Sequence, residues 1–229
     1  MRSIGDEGAR VALLDVNNAA LEKVNEEMRD AGYDTKAWCV DLSEGKIIKN
    51  VFLEIAEHFG GIDILINNAG ISRFAPIDND DYEIAWHESI AVLLTAHTLT
   101  VRAALPHLRK ANNPRIVNIA STEGLGATRY GSPYTAAKTG VIGLTRSLAV
   151  ELGPEKITVN CVCPGPINTG MTSTISEEDK AVFARRRTAL RRYAEPEEVA
   201  HLVSFLISSK ASYINGTNIV IDGGRTASL

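Results

Sequence analysis

The stretch Ser132-Pro133-Tyr134-Thr135-Ala136-Ala137-Lys138 decides how the chain is read. It opens an apolar run of Ala136, Ala137, Val141, Ile142, Leu144, Leu148, Ala149 and Leu152. That spacing predicts a buried helix, stopped by Gly153-Pro154. Residues four apart share a helix face, so the phenol of Tyr134 and the ammonium of Lys138 lie side by side near the helix N-terminus. A tyrosine hydroxyl ordinarily ionises near pH ~10. A neighbouring ammonium stabilises the phenolate and brings that pKa down towards the range of a usable acid/base. The same pair also occurs on helix surfaces that do no chemistry, so the surrounding chain has to decide.

Working outward, short apolar runs alternate with helical patterns. Arg10–Val16 reads as a strand ending in a carboxylate, Asp15, with Asn17 or Asn18 able to cap the helix that follows to about Ala31. Lys36–Val40 is a second strand, ending at Asp41, and Ser43–Phe59 a second helix. Ile62–Asn67 is a third strand, running into Asn68-Ala69-Gly70. One long helix is expected from Tyr82 to Arg109. Arg115–Ser121, Ile157–Cys163 and Thr217–Ile221 complete the strands, and two helices lie within Ser176–Ile207. Nearly continuous apolar strands alternating with helices predict an α/β fold, a doubly wound parallel sheet with helices on both faces. In such sheets ligands bind beyond the carboxyl ends of the strands. Asp15, Asp41, Asn67, Ser121 and Pro164 all fall there.

The composition bounds the function. A chain of 229 residues with 45% hydrophobic content suits one domain with a sizeable core, and no repeat or linker divides it. The net charge of −4 excludes a nucleic-acid-binding surface as the main reading. No uninterrupted apolar run reaches the ~18 residues of a membrane span. The five histidines lack metal-ligand spacing, so no metal site is expected. Three cysteines, two of them alternating at Cys161 and Cys163 as small core residues, fit a reducing, cytoplasmic setting.

Together the motifs resemble the short-chain dehydrogenase/reductase family along nearly the whole chain. Asn67-Asn68-Ala69-Gly70 matches its NNAG motif, and Tyr134 with Lys138 its YxxxK motif, with Ser121 thirteen positions upstream. Pro164-Gly165 followed by Ile167 and Thr169 matches its PG motif and nicotinamide-binding threonine. Glu195–Ala200 and Asp222-Gly223-Gly224 match its C-terminal signatures. The resemblance implies a Rossmann-type oxidoreductase moving a hydride between a nicotinamide cofactor and a secondary alcohol or ketone. Tyr134 would be the acid/base. Lys138 would tune it and hold the nicotinamide ribose, and Ser121 would polarise the substrate oxygen. Asn67, Ala69, Gly70, Pro164, Gly165, Ile167 and Thr169 would line the cofactor, with Asp41 at the adenine or capping a helix. Asp15 would accept hydrogen bonds from the adenosine ribose and repel a 2′-phosphate, favouring NAD over NADP; its other reading is a helix cap. A homodimer or homotetramer is implied, packed through the two long helices.

Two departures qualify the resemblance. The family's first strand, its TGxxxGxG turn and the following helix have no counterpart before Glu7-Gly8. By ordinary element lengths, roughly 20 residues are missing, and the chain is expected to be N-terminally truncated, without the first βα unit. Leu93 stands where the family carries an asparagine that helps hold a proton-relay water. These departures keep open a catalytically dead family member serving as a binding or scaffolding subunit. An NADP-dependent carbonyl (3-oxoacyl) reductase is the other alternative. The arginines at 185–187, 191 and 192 read as a solvated helix face. Glu123, Tyr130 and Met171 are guessed as pocket-lining.

Overall fold

A computed structural model describes residues 2–227. The strands are β1 (Val11–Asp15), β2 (Thr35–Cys39), β3 (Ile64–Asn67), β4 (Arg115–Ile119), β5 (Thr158–Pro164) and β6 (Asn218–Ile221). All pairings are parallel. β1 pairs with β2 alone, and β3-β4-β5-β6 form a second sheet. The doubly wound expectation therefore holds for direction and layering, with the strands divided between two sheets rather than one.

The helices are α1 (Arg2–Gly5), α2 (Asn18–Asp30), α3 (Gly45–Phe59), α4 (Tyr82–Ile90), α5 (Ala96–Leu108), α6 (Ser132–Leu152), α7 (Glu177–Arg187) and α8 (Pro196–Ile207). They cover both faces because the strands are apolar on both. In β4, Ile116 packs with Phe52 of α3, Val101 and Leu108 of α5 and Leu152 of α6. Its neighbour Val117 packs with Val203 and Leu206 of α8 on the opposite side. Full burial of each such side chain contributes about 1.5–3 kcal/mol. Around β1, Leu13 meets Leu21 and Met28 of α2 on one face, while Ala12 and Leu14 meet Ile55 and Phe59 of α3 on the other.

The expected long helix is interrupted. Between α4 and α5 the chain makes a π-helical turn, Ala91–Thr95. By length and composition Tyr82–Leu108 could cross a membrane, a property that a search for uninterrupted apolar runs misses. Here the helix packs on α3, α6 and the sheet, burying Ala96, Thr100, Val101, Ala104 and Leu108, which is the behaviour of a core helix. In α7, Glu177, Glu178 and Asp179 lie in the first turn and Arg185–Arg187 in the last, so this charge run complements the helix dipole.

Candidate active site

α6 starts at Ser132 with Pro133 in its first turn, where proline's fixed φ suits a helix start and its missing N–H costs nothing. This start sits beside the carboxyl end of β4, which leads through Ala120 to Ser121. Ser121 caps a short turn, its Oγ accepting the Glu123 N–H at 3.1 Å. The same hydroxyl is hydrogen-bonded to Tyr134. The Tyr134 ring stacks on Phe74, with centroids 5.9 Å apart. Lys138, one turn along and only 4% exposed, donates from Nζ to the Ile119 carbonyl at 2.7 Å, and its Nζ lies 5.8 Å from the Tyr134 ring centroid. Ser121, Tyr134 and Lys138 thus converge as their spacing predicts.

The electrostatics differ from the expectation. The Tyr134 hydroxyl is held above its ordinary value, not below it. Burial dominates, the Ser121 hydrogen bond pulls it back, and the negative charge of Glu123 raises it further. Lys138 is engaged with the β4 carbonyl and is not among the groups that shift the Tyr134 hydroxyl. The ammonium pays a desolvation penalty of its own, bringing its pKa from 10.5 to about 8. Cys161 and Cys163 lie close enough to Lys138 to act on its charge. Both are fully buried, with Sγ atoms 4.0 Å apart.

Two groups beside this cluster escape a motif search. Glu123, 7% exposed, accepts at Oε1 from Thr128 Oγ1 and from Arg225, each at 2.8 Å. Arg225 also donates to Thr122 Oγ1 at 2.9 Å, which ties the chain's last turn to the segment after β4. Glu123 was expected as a pocket residue and is instead buried in this pair, whereas Tyr130 and Met171 are exposed. The second group is a chain of hydrogen bonds under the site. Thr100 Oγ1 donates to Asn67 Oδ1 at 2.7 Å, Asn67 Nδ2 to Asn118 Oδ1 at 2.9 Å, and Asn118 Nδ2 to Thr145 Oγ1 at 3.0 Å. It joins α5, β3, β4 and α6. Asn67, expected at the cofactor, is buried in this network.

The remaining positions lie along the carboxyl edge. Asp15 ends β1, exposed, with Oδ1 accepting the Asn17 N–H at 2.8 Å. The α2 cap is Asn17 itself, whose Oδ1 accepts from Ala20, so Asp15 is not the capping residue. Asp41 Oδ1 accepts the Ser43 N–H at 2.8 Å in the turn before α3. Ala69 and Gly70 follow β3, and a Cβ on Gly70 would lie 3.3 Å from the buried Leu93 side chain. Leu93 occupies the π-helical turn as a core residue. After β5, the Gly165 N–H donates to Ile221 O at 2.9 Å, and a Cβ there would fall 2.7 Å from the Asp222 main chain. Only glycine fits. Ile167 bridges to Ala194, and Thr169 caps the turn 170–172. Arg192 is bound in bidentate fashion to Glu198, both bonds 2.7 Å, which assigns it to the start of α8.

A dinucleotide suits both ends of this edge. Lys138 Nζ has three donors, is buried, and meets the carbonyl of Ile119 with one of them; ribose hydroxyls would suit the others. Asp15 presents an exposed carboxylate about where a second ribose would sit, at a strand's carboxyl end.

Comparison with known proteins agrees with this geometry. A family model described as enoyl-(acyl carrier protein) reductase matches residues 2–226. The chain is 38% identical over 227 residues to a meso-2,3-butanediol dehydrogenase of Serratia marcescens, covering 99% of this chain and 88% of that one. It is 37% identical over 230 residues to a 3-alpha-(or 20-beta)-hydroxysteroid dehydrogenase of Mycobacterium tuberculosis, covering 100% and 84%. Among solved structures, a gluconate 5-dehydrogenase of Burkholderia cenocepacia in complex with NADP and tartrate superposes with a TM-score of 0.92 at 26% identity, covering 100% of this chain and 89% of that one.

Proposed function

The chain belongs to the short-chain dehydrogenase/reductase family, and from that premise we propose that it interconverts a secondary alcohol and a ketone with NAD, in preference to NADP, as its cofactor. The observation that carries this reading is the half-buried Tyr134, hydrogen-bonded to Ser121, with the buried ammonium of Lys138 one helical turn away. When bound, the nicotinamide supplies or accepts the hydride. Tyr134, held protonated at neutral pH by burial and by Glu123, gives its proton to the substrate oxygen in the reducing direction and takes it back in the other. Ser121 donates to the same oxygen. Lys138 holds ribose hydroxyls and keeps a positive charge near the phenol as it ionises. Pro164, Gly165, Ile167 and Thr169 form the wall on the nicotinamide side.

Asp15 supports NAD. A carboxylate at the end of β1 accepts from ribose hydroxyls and repels a 2′-phosphate. Arg10 is no counterweight: it lies before β1, over the Phe59 ring at 5.8 Å. Exposed Ile84 and Trp86 on α4 and Val150 on α6 support pairing through the long helices in a homodimer or homotetramer. The three thiols are free, which suits a cytoplasmic protein acting as a single Rossmann-type unit.

The test is thermal unfolding with NADH and with NADPH, followed by turnover on a panel of secondary alcohols. At 100 times its dissociation constant the preferred cofactor adds about 2.7 kcal/mol. A shift with NADH alone supports the reading. A shift with NADPH alone removes the role given to Asp15. No shift with either, together with no turnover, overturns the enzymatic reading in favour of a binding subunit.

A further inference from the structure

Two loops meet over the start of α6. One, residues 68–81, joins β3 to α4; the other, residues 125–131, leads into α6. A main-chain bond ties them together, the Ala75 N–H donating to the Tyr130 carbonyl at 2.9 Å, and Ala75 is buried. Tyr130 accepts that bond from a left-handed backbone, φ 66°. A bulky residue keeps that conformation only where its surroundings hold it there. The next residue, Gly131, lies against Phe74: a Cβ there would fall 2.7 Å from Phe74 Cε1 and 3.0 Å from the Thr128 carbonyl oxygen. Gly131 also begins α6, its carbonyl accepting the Thr135 N–H at 2.8 Å. The joined loops thus seat Phe74 at the helix start, its ring stacked on Tyr134 with 23° between the planes. Phe74 is 46% exposed and takes no part in the core clusters around β1 and β4. Its packing is directed at Tyr134.

We propose that Phe74 is a positioning residue for Tyr134: its ring, clamped between the two loops, keeps water off the phenol and holds it against Ser121. The proposal rests on Tyr134 being the acid/base of the reaction. An offset aromatic stack fixes the orientation of both rings and covers one face of the phenol with carbon. Covering the phenol disfavours its charged form, and burial is the largest of the effects on the Tyr134 hydroxyl. The charged groups around the phenol are already engaged. Glu123, in the turn after β4, is paired with Arg225, and Lys138 of α6 is bonded to Ile119. On the two loops, Arg73 is paired with Glu88 of α4, and Arg129 lies over the Tyr130 ring at 4.5 Å. Phe74 therefore acts through burial and orientation. With the ring in place the phenol stays protonated and aimed at the substrate oxygen; without it, water competes for the hydroxyl and the ring is free to turn.

The test follows the ionisation of Tyr134 in the intact protein labelled with ζ-carbon-13 tyrosine. Of the six tyrosines, its signal is the one lost in Tyr134→Phe. Phe74→Ala should lower the midpoint of the Tyr134 titration by at least about 0.5 in pH, with the melting temperature little changed because the ring is half exposed. Phe74→Tyr keeps the stack and should restore the parental midpoint. Gly131→Ala drives a Cβ into the ring and should shift the midpoint in the same direction, yet add nothing in the Phe74→Ala background. In turnover, Phe74→Ala should move the ascending limb of the pH–rate profile for alcohol oxidation to lower pH and reduce kcat by at least about tenfold, with KM changing less. An unmoved midpoint in Phe74→Ala, a midpoint that Phe74→Tyr does not restore, or an equal effect of Gly131→Ala with and without Phe74 overturns the proposal. A midpoint that moves as expected, in a parent protein that turns over no secondary alcohol, supports the hold of Phe74 on Tyr134 and overturns the reading of the reaction instead.

Discussion

The ammonium of Lys138 donates a 2.7 Å hydrogen bond to the main-chain oxygen of Ile119, the last residue of β4. The bond fastens α6 to the strand that leads to Ser121, at the cost of burying a charge. Because the folded pKa, about 8, lies below the ordinary value of 10.5, the penalty is present in full below about pH 8 and is relieved as pH rises towards 10.5. At neutral pH it amounts to about 3 kcal/mol. Losing the bond in Lys138→Met costs about 1–3 kcal/mol at every pH. The readout is therefore the slope: the stability of the parent protein rises with pH between about 8 and 10, and that of Lys138→Met does not. Turnover of the variant falls by about 10²-fold or more.

Tyr134→Phe keeps the stack on Phe74 and loses the proton. Turnover should drop by about 10²–10⁴-fold with the melting temperature little changed. A variant that retains parental turnover would show that Tyr134 is not the acid/base.

The charge of Glu123 raises the Tyr134 pKa. In Glu123→Gln the phenol ionises at lower pH, so the ascending limb of the pH–rate profile for alcohol oxidation, where Tyr134 must be ionised, moves to lower pH. An unmoved limb would mean that Arg225 already neutralises Glu123 as seen from Tyr134.

His97 is a base whose folded pKa is lowered to about 3 by burial and by Lys138. The unfolded chain takes up a proton near pH 6.5 and the folded chain does not, so stability is lost as pH falls from 6.5 towards 3. Glu198, held at about 2 by Arg192, acts only below about 4.5. Between pH 6.5 and 4.5 the His97 contribution therefore stands apart, at about 2–3 kcal/mol. Chemical denaturation of His97→Gln across this interval should show that much less loss.

Asn118 lies within the hydrogen-bond chain from Thr100 to Thr145 and is fully buried. Asn118→Leu leaves Asn67 Nδ2 without its acceptor and Thr145 without its donor, at about 1–3 kcal/mol each. Thr145→Val removes one end and should cost less. Equal stability of Asn118→Leu and the parent would mean that the network relaxes around the change.

What the sequence discloses and what it hides follow from distance along the chain. Tyr134 and Lys138 are separated by one turn, and Asp15, Asn67 and Ser121 each end an apolar run, so local patterns put them at the helix start and strand ends where the structure has them. The Glu123–Arg225 pair joins residues 102 apart, and the Asn67–Asn118 bond spans 51; no periodicity connects them. The direction of the Tyr134 pKa was misjudged because the motif contains the ammonium but neither the burial nor Glu123. The division of the strands into two sheets is likewise a property of pairing, which composition does not carry.

The π-helical turn at Ala91–Thr95 works as a phase corrector. The buried face recurs at Ala85, Ser89, Leu93, His97, Val101, Ala104 and Leu108, a stripe about one residue longer than six regular turns of about 3.6 residues require. In an unbroken α-helix that stripe would precess around the axis, and its two ends could not both face the sheet. The extra residue at Ala91–Thr95 absorbs the difference at one point. Removing one residue there would straighten the helix and rotate everything after it by about 100°. Thr100 would then swing away from Asn67, and the coupling between α5 and the site's floor would be lost through geometry alone.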